Sequence, residues 1–198
     1  MASQRERKEQ QPAVVTLFGS GSPEPGSRPY EAARELGAGL ARAGFVLCNG
    51  GYGGTMEASA RGARGEDGHV IGVTLERADW GEPNRWSTEL ISRPDLPTRT
   101  MSLIQRGDAY VVLPGGTGTL SELGLLLELI GKRHVDPRPL VLVGDFWMPV
   151  VGLMREEKVF RSRVDYRTVE GVEMIGQVAR ADGPGPAVRF LEANLLAG

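Results

Sequence analysis

The stretch that decides the fold is VVLPGGTGTLSELG, residues 111–124. It begins within a short apolar run, Ala109–Leu113, which predicts a strand buried on both faces, as in a parallel sheet. A proline, a glycine-rich turn and a leucine-rich segment follow, and Thr119–Lys132 is predicted to form a helix. A strand that continues through a tight glycine turn into a helix is typical of an α/β fold.

The same alternation of strand and helix continues on both sides of this stretch. Residues 76–98 have no regular pattern, and residues 164–183 are ambiguous. Because alternating strands and helices build parallel βαβ units, we expect a Rossmann-like three-layer α/β domain with a mainly parallel sheet over residues 12–198, after a flexible tail at residues 1–11. The other predicted strands are Ala13–Phe18, Phe45–Cys48, His69–Val73 and Pro139–Val143, and the other predicted helices are Tyr30–Ala43, Thr55–Arg64, Thr100–Arg106, Trp147–Lys158 and Pro186–Leu196.

The composition of the 198-residue chain argues against several classes of protein. Its net charge of −2 provides no basic surface for nucleic acid. One cysteine, Cys48, permits no disulfide within the chain. No apolar segment reaches the length of a transmembrane helix, and the first twelve residues, MASQRERKEQQP, lack the apolar stretch of a secretory signal. We therefore expect a cytoplasmic protein without a membrane or nucleic-acid partner.

Glycine is unusually frequent, with 28 residues, and it forms clusters at 19–21, 50–54 and 115–118. Each cluster follows a predicted strand, at the edge of the sheet where open α/β folds bind their ligands. In the third cluster the glycines allow close approach to the backbone, and the helix N-terminus presents free amides and the positive end of its dipole. This turn is predicted to bind an anion, usually a phosphate, through Gly115, Gly116, Thr117, Gly118 and Thr119.

The spacing of the motifs excludes several common nucleotide and cofactor sites. Glu24 stands where the dinucleotide fingerprint GxGxxG, begun at Gly19, needs glycine or alanine, so NAD is not expected. Neither the P-loop motif GxxxxGK[ST] nor the hydrolase motif GxSxG occurs. Pyridoxal phosphate needs a lysine for its Schiff base, but Lys8, Lys132 and Lys158 all lie away from the glycine turns. We expect neither a cofactor nor a metal.

Glu122 has two interpretations. Thr119-Leu120-Ser121-Glu122 matches the capping box S/T-x-x-E, in which the glutamate bonds back to the helix start and has a structural role. Alternatively, a carboxylate one helical turn from a bound phosphate could face the anomeric carbon of a sugar phosphate. The capping box does not account for the glycines that precede it, and both interpretations are open at this point.

The nine residues Pro114–Glu122, PGGTGTLSE, match PGGxGTxxE, and the chain thereby resembles the LONELY GUY (LOG) family. The turn at Phe18–Gly21 is similar to the family's FCGSS-like turn, and NGGYGGTME, residues 49–57, is a variant of its GGGxxGLMG turn. Arg99 lies where the family has the arginine of its MxxRK motif, although Thr100 replaces the lysine. The resemblance covers about residues 13–160.

The resemblance implies an enzyme that hydrolyses the N-glycosidic bond of a nucleoside 5′-monophosphate, of the AMP or cytokinin riboside 5′-monophosphate type, into free base and ribose 5-phosphate. It implies that Glu122 stabilises an oxocarbenium-like transition state. Arg99 is expected to pair with Glu122, keep it ionised, and contact the ribose or the phosphate. A homodimer is also implied, and the leucine-dense segment 120–130 is consistent with burial on two sides. The residues expected to border the nucleotide are Gly19, Ser20, Gly21, Gly50, Gly51, Gly53 and Gly54.

Two other classes of function are open at this stage. The glycine turns alone would serve a non-catalytic carrier of a nucleotide-like cofactor, similar to molybdenum-cofactor carrier proteins. The pair of Arg99 and Glu122 favours the enzyme, because a carrier of an anionic ligand gains little from a carboxylate in its pocket. Single-stranded DNA binding on a related fold is opposed by the acidic net charge.

Four larger side chains near the glycine turns have two interpretations each. Met56 and Met101 either form the floor of a base pocket or pack in the core. Trp80 and Trp86, in the irregular segment, either form a lid or pack against the domain.

Overall fold

A computed structural model describes residues 11–76, 81–161 and 165–196. Within these residues the strands are β1 (Val14–Phe18), β2 (Val46–Asn49), β3 (Val70–Leu75), β4 (Glu89–Arg93), β5 (Ala109–Val112), β6 (Leu140–Val143), β7 (Val172–Ile175) and β8 (Val178–Ala181). The helices are α1 (Arg28–Arg42), α2 (Thr55–Arg64), α3 (Leu96–Arg106), α4 (Thr117–Gly131), α5 (Met148–Met154), α6 (Lys158–Arg161) and α7 (Pro184–Leu195).

The strands form one sheet in the order β4-β3-β2-β1-β5-β6-β8-β7. All neighbouring pairs are parallel except β7 and β8, so the predicted mainly parallel sheet is confirmed. The chain continues from β1 to β2 on one side and later returns to β5 on the other, so the strand order reverses between β1 and β5. Ligands of open α/β sheets bind at such a reversal, beyond the carboxyl ends of the strands. The first and third glycine clusters follow these two strands.

Apolar cores lie on both faces of the sheet, as the alternation of side chains along each strand requires. Val15 and Leu17 of β1 belong to one core, together with buried residues of α1, α2 and α7. Phe18 belongs to the other core, together with buried residues of α3, α4, α5 and α6. Helices therefore cover both faces, and the predicted three-layer α/β architecture is confirmed.

Strands β4, β7 and β8 lie in the two segments that the sequence left irregular or ambiguous. β4 and β7 are the edge strands, and their side chains are exposed or half-buried. β8 has Arg180 within it. Only strands that are covered on both faces produce the continuous apolar runs on which the prediction depended.

Helix α3 begins at Leu96 and not at Thr100 as predicted. Asp95 caps it, since its Oδ1 accepts a hydrogen bond from Thr98 N at 2.8 Å. The proline that follows Leu96 disfavours helical geometry at that residue, which hid the start in the sequence. The consequence for the site is that Arg99 lies within the first turns of a helix.

The segment predicted as one helix at Trp147–Lys158 forms two, α5 and α6. Residues 155–157 between them are charged and exposed, so they supply no apolar side chain that would hold a continuous helix against the sheet. Of the predicted tail, residues 1–10 lie outside the described residues.

Candidate active site

A cleft of about 420 Å³ opens at the carboxyl ends of β1, β2 and β5. It brings together the three glycine turns, Arg99 of α3 and Glu122 of α4. Ser22, Tyr52 and Met56 also line it. The predicted binding residues that line it are Gly19, Ser20, Gly21, Gly50, Gly53, Gly116, Thr117, Gly118 and Thr119.

The other three predicted binding residues do not line the cleft but determine the backbone conformation and packing of the turns. They are Gly51, Gly54 and Gly115. Gly54 has a φ of +66°, and a Cβ atom there would collide with Ser20 O. Gly51 also has a positive φ, of +76°. A Cβ atom at Gly115 would collide with the side chain of Thr119. Glycine is needed at these positions for backbone conformation and close packing.

The N-terminus of α4 presents backbone amides to the cleft. Leu120 N donates to Gly116 O at 3.0 Å, so the amides of Thr117, Gly118 and Thr119 precede the first hydrogen bond of the helix. Among the described residues, apart from the chain neighbours and the backbone of α4 itself, none comes within 4 Å of a Cβ position at Gly116 or Gly118. This open surface, with free amides and the positive end of the helix dipole, suits a phosphate.

Glu122 does not form the capping box that its motif permits. Helix α4 begins at Thr117, its N-cap is Gly116, and no side chain caps it. Glu122 is therefore the sixth residue of the helix, whereas a capping box needs its glutamate at the third. Instead, Glu122 Oε1 lies 3.9 Å from Arg99 Nη1. The capping-box interpretation of this glutamate is therefore wrong.

Arg99 is held in place by two carbonyls and a ring. Its Nε donates to Val73 O at 2.7 Å, and its Nη2 donates to Gly50 O at 3.0 Å. The guanidinium carbon lies 5.6 Å from the centroid of the Tyr52 ring, within cation–π range. A Cβ atom at Gly50 would overlap Arg99 Nη2, which explains why the second turn needs glycine there. The remaining nitrogen, Nη1, faces Glu122.

The electrostatics of the pair are set by burial. Burial raises the pKa of Glu122 from 4.5 to about 7, and the nearby charge of Arg99 opposes that rise without cancelling it. Burial also lowers the pKa of Arg99, which Glu122 opposes. Arg99 therefore favours the ionised form of Glu122, but burial has the larger effect on the pKa of this carboxyl. Near neutral pH the carboxyl is divided between its two protonation states.

Two residues of the second turn have roles that the sequence analysis did not assign. Asn49 is fully buried; its Nδ2 donates to Met56 O at 2.9 Å and its Oδ1 accepts from Gly51 N at 2.9 Å. The Tyr52 hydroxyl accepts from Leu75 N at 2.9 Å while its ring lies against Arg99. The signal available in the sequence for the role of Asn49 was its position directly after an apolar strand and before two glycines.

The other candidate residues divide between the cleft and the rest of the surface. Met56 lines the cleft, whereas Met101 lines a separate groove beside α3. Trp86 packs against one core and lies 4.7 Å from the Arg85 guanidinium, so it is a packing residue outside the cleft lining. Trp80, for which a lid and simple packing were both open, lies outside the described residues.

Asp108 is positioned away from the cleft, at the opposite end of β1, where its Oδ2 accepts from Val14 N at 3.0 Å. Among the described residues, no group of three or more His, Cys, Asp or Glu side chains is placed to hold a metal ion. In the same part of the chain, no helix combines the length and apolar character needed to cross a membrane.

Comparison with known proteins adds relatives that share this site region. The SLOG cluster4 family matches residues 12–133, which include the whole cleft. A protein of Rhodococcoides fascians named cytokinin riboside 5′-monophosphate phosphoribohydrolase is 30% identical over 155 residues, covering 75% of this chain and 77% of its own. An Escherichia coli protein named pyrimidine/purine nucleotide 5′-monophosphate nucleosidase is 32% identical over 145 residues, which are 67% of this chain. The chain spans only 31% of the length of that relative.

A solved structure supports the fold. The molybdenum cofactor binding protein from the phototrophic bacterium Rippkaea orientalis superposes with a TM-score of 0.70 at 20% identity, covering 92% of this chain and 96% of that one. At this identity the likeness shows the Rossmann-like fold. The resemblance to the LOG family that was read from PGGTGTLSE is confirmed by the family match and by the names of the relatives.

Proposed function

The chain belongs to the SLOG cluster4 family, a LOG-like family, and from this premise we propose that it hydrolyses the N-glycosidic bond of a nucleoside 5′-monophosphate, of the AMP or cytokinin riboside 5′-monophosphate type. The products are free base and ribose 5-phosphate. The observation that carries the proposal is the position of Glu122, 3.9 Å from Arg99, in the cleft that the amides of α4 also line. Relatives are named for this class of reaction.

The helix N-terminus sets the distance between the phosphate and the acid. The phosphate binds at the amides of residues 117–119, where α4 begins. Glu122 lies five residues beyond Thr117, about 7.5 Å along the helix axis, and side chains of a helix point back toward its N-terminus. The ribose fits between the two groups, with its anomeric carbon toward the carboxylate.

Cleavage leaves positive charge on C1′ and the ring oxygen as the bond to the base breaks. The ionised form of Glu122 stabilises this charge and takes a proton from the attacking water. The water oxygen bonds to C1′, and the base leaves with the electron pair of the broken bond and takes a proton from solvent, while Glu122 returns the proton of the attacking water to solvent. Arg99 lowers the pKa of Glu122, so that its ionised form is available near neutral pH.

The experiment is a base-release assay on the purified protein with AMP and isopentenyladenosine 5′-monophosphate. The proposal expects base and ribose 5-phosphate in equal amounts from the wild-type protein, and release slower by about 10²-fold or more from Glu122→Gln. Glu128→Gln is the matched control, because Glu128 lies on the same helix but is exposed and faces Lys132 at 3.7 Å. Release by the wild type together with undiminished release by Glu122→Gln would contradict the mechanism.

The competing function is non-catalytic binding of a nucleotide-like cofactor. It draws on the fold shared with the Rippkaea orientalis protein, whose likeness shows the fold alone. A buried carboxyl beside the anion site disfavours a carrier of an anionic ligand. Binding of such a ligand without any base release from nucleoside monophosphates would favour the carrier.

A homodimer in the cytoplasm is part of the same proposal. Of the leucine-dense segment, Leu125 and Leu129 are only half-buried within the chain, and Leu120 is 41% exposed. Leu153, in the nearby α5, is 88% exposed. A second copy that covers these side chains would account for the excess of leucine on α4. Light scattering of the wild type and of Leu153→Asp tests this, with a dimer expected for the first and a monomer for the second.

A further inference from the structure

Trp147 lies outside the cleft lining, yet it contacts the backbone from which the phosphate turn begins. Its indole Nε1 donates a buried hydrogen bond to Leu113 O at 3.0 Å. Leu113 directly precedes Pro114, the first residue of the turn that leads into α4. The Trp147 side chain belongs to the connection between β6 and α5. A side chain from one strand-to-helix turn therefore holds the turn of the neighbouring strand.

The start of the phosphate turn is also tied to β1. Leu113 N donates to Phe18 O at 2.9 Å, and Ser20 N donates to Pro114 O at 3.3 Å, which is long for this kind of bond. In the sheet, β5 lies between β1 and β6. The β1 bonds hold the turn from one side, and Trp147 holds it from the other.

Trp147 is itself fixed. Gly144, with a φ of +73°, turns the chain after β6, and its N–H donates to Ala181 O at 2.8 Å. The next residue, Asp145, accepts from Arg180 Nε at 2.7 Å. The Phe146 ring lies edge-on to the Trp147 ring, with centroids 4.9 Å apart, and Trp147 is only 4% exposed. A buried indole whose ring contacts Phe146 and whose preceding residues are hydrogen-bonded to β8 and the residues beside it can define where the Leu113 carbonyl lies.

We propose that Trp147 is a positioning residue for the phosphoryl group: it fixes Leu113 O and thereby holds the amides of residues 117–119 in the arrangement that grips a phosphate. This inference rests on the proposed function, because it assigns the phosphate to that turn. Trp147 is not part of the cleft lining, so its removal acts on the affinity for the phosphoryl group and leaves the base side of the cleft unchanged.

The test is Trp147→Phe, which keeps an aromatic ring and removes the N–H donor. Loss of one buried hydrogen bond should raise KM for AMP and Ki for ribose 5-phosphate by about tenfold. Inhibition by free adenine and kcat should stay close to the wild-type values. Trp86→Phe is the matched control, since Trp86 packs outside the cleft and should leave all four constants unchanged. An unchanged Ki for ribose 5-phosphate, or an equal weakening of adenine, would overturn the proposal.

A second measurement keeps the test valid if Trp147→Phe does not fold. The chain has three tryptophans, so Trp80→Phe combined with Trp86→Phe leaves the Trp147 indole alone. Titration with ribose 5-phosphate should shift its indole N–H resonance in step with ligand binding, and no shift at saturation would overturn the proposal. Calorimetric binding of ribose 5-phosphate tests the role of Trp147 even if the wild type releases no base, which separates this inference from the proposed reaction.

Discussion

Arg99 Nη1 lies 3.9 Å from Glu122 Oε1, and the two side chains are only 6% and 15% exposed. Burial of such a pair costs desolvation energy, and a site that only binds an anion does not need the pair. The effect of burial on the pKa of Glu122 exceeds that of the arginine charge, so that this pKa rises to about 7. A carboxyl with a pKa near neutral pH is suited to accept a proton from water. A turn built of glycines alone could bind an anion but has no such group.

Replacement of Glu122 by glutamine should abolish most of the reaction while preserving the fold. The amide has the same shape but can neither carry the negative charge nor accept the proton, so kcat should fall by about 10²–10³-fold. The measurement is release of base from AMP at saturating substrate. The control Glu128→Gln should retain wild-type turnover, and a fall of similar size in both variants would point to a general loss of structure.

The pH dependence of the reaction should report the pKa of Glu122. If the ionised form acts, kcat/KM rises with pH and levels off above an apparent pKa of about 7. The rate profile of the wild type between pH 5 and 9 measures this. A profile that is flat from pH 5 upward would mean that the reacting carboxyl has an ordinary pKa.

Removal of the Arg99 charge should move this profile in a defined direction. Arg99→Gln takes away the cation that lowers the pKa of Glu122, so the midpoint should shift above 7 and the rate at neutral pH should fall. The Val73 and Gly50 carbonyls also lose their donor, and the expected loss of stability is about 1–3 kcal/mol. A midpoint that moves down would contradict the role given to Arg99.

Stability should depend on pH through the same carboxyl. The folded protein binds the Glu122 proton more tightly than the unfolded chain does, because the pKa is about 7 in the fold against the ordinary 4.5. The free energy of unfolding therefore falls as pH rises from about 4.5 to about 7, by up to about 3 kcal/mol, and is constant beyond. Urea unfolding at pH 5 and pH 8 measures this, and Glu122→Gln should lack that part of the change.

The sequence was sufficient for the parts of the fold and site that rest on local patterns. Covered strands such as β5 and the glycine turn before α4 were predicted because apolar runs and clustered glycines are local signals, although α4 begins at Thr117 and not at the predicted Thr119. The sequence left the capping box at Glu122 open because the choice between helix starts depends on how α4 packs, which no short motif records. The pKa of Glu122 could not be predicted, since burial by distant segments decides it.

Gly50→Ala should impair the reaction through Arg99. The backbone at Gly50 does not have the positive φ of its neighbour Gly51, so alanine is tolerated conformationally, but its Cβ would overlap Arg99 Nη2. The guanidinium must then leave Gly50 O and lose its orientation toward Glu122, and kcat/KM should fall at least about tenfold, as expected for a misplaced catalytic group. Gly152→Ala is the matched control: it lies on an exposed face of α5, where a Cβ atom meets none of the described residues outside its own helix within 4 Å. Thermal unfolding of both variants establishes that they are folded. Full activity of a folded Gly50→Ala would show that the position of Arg99 does not govern the chemistry at Glu122.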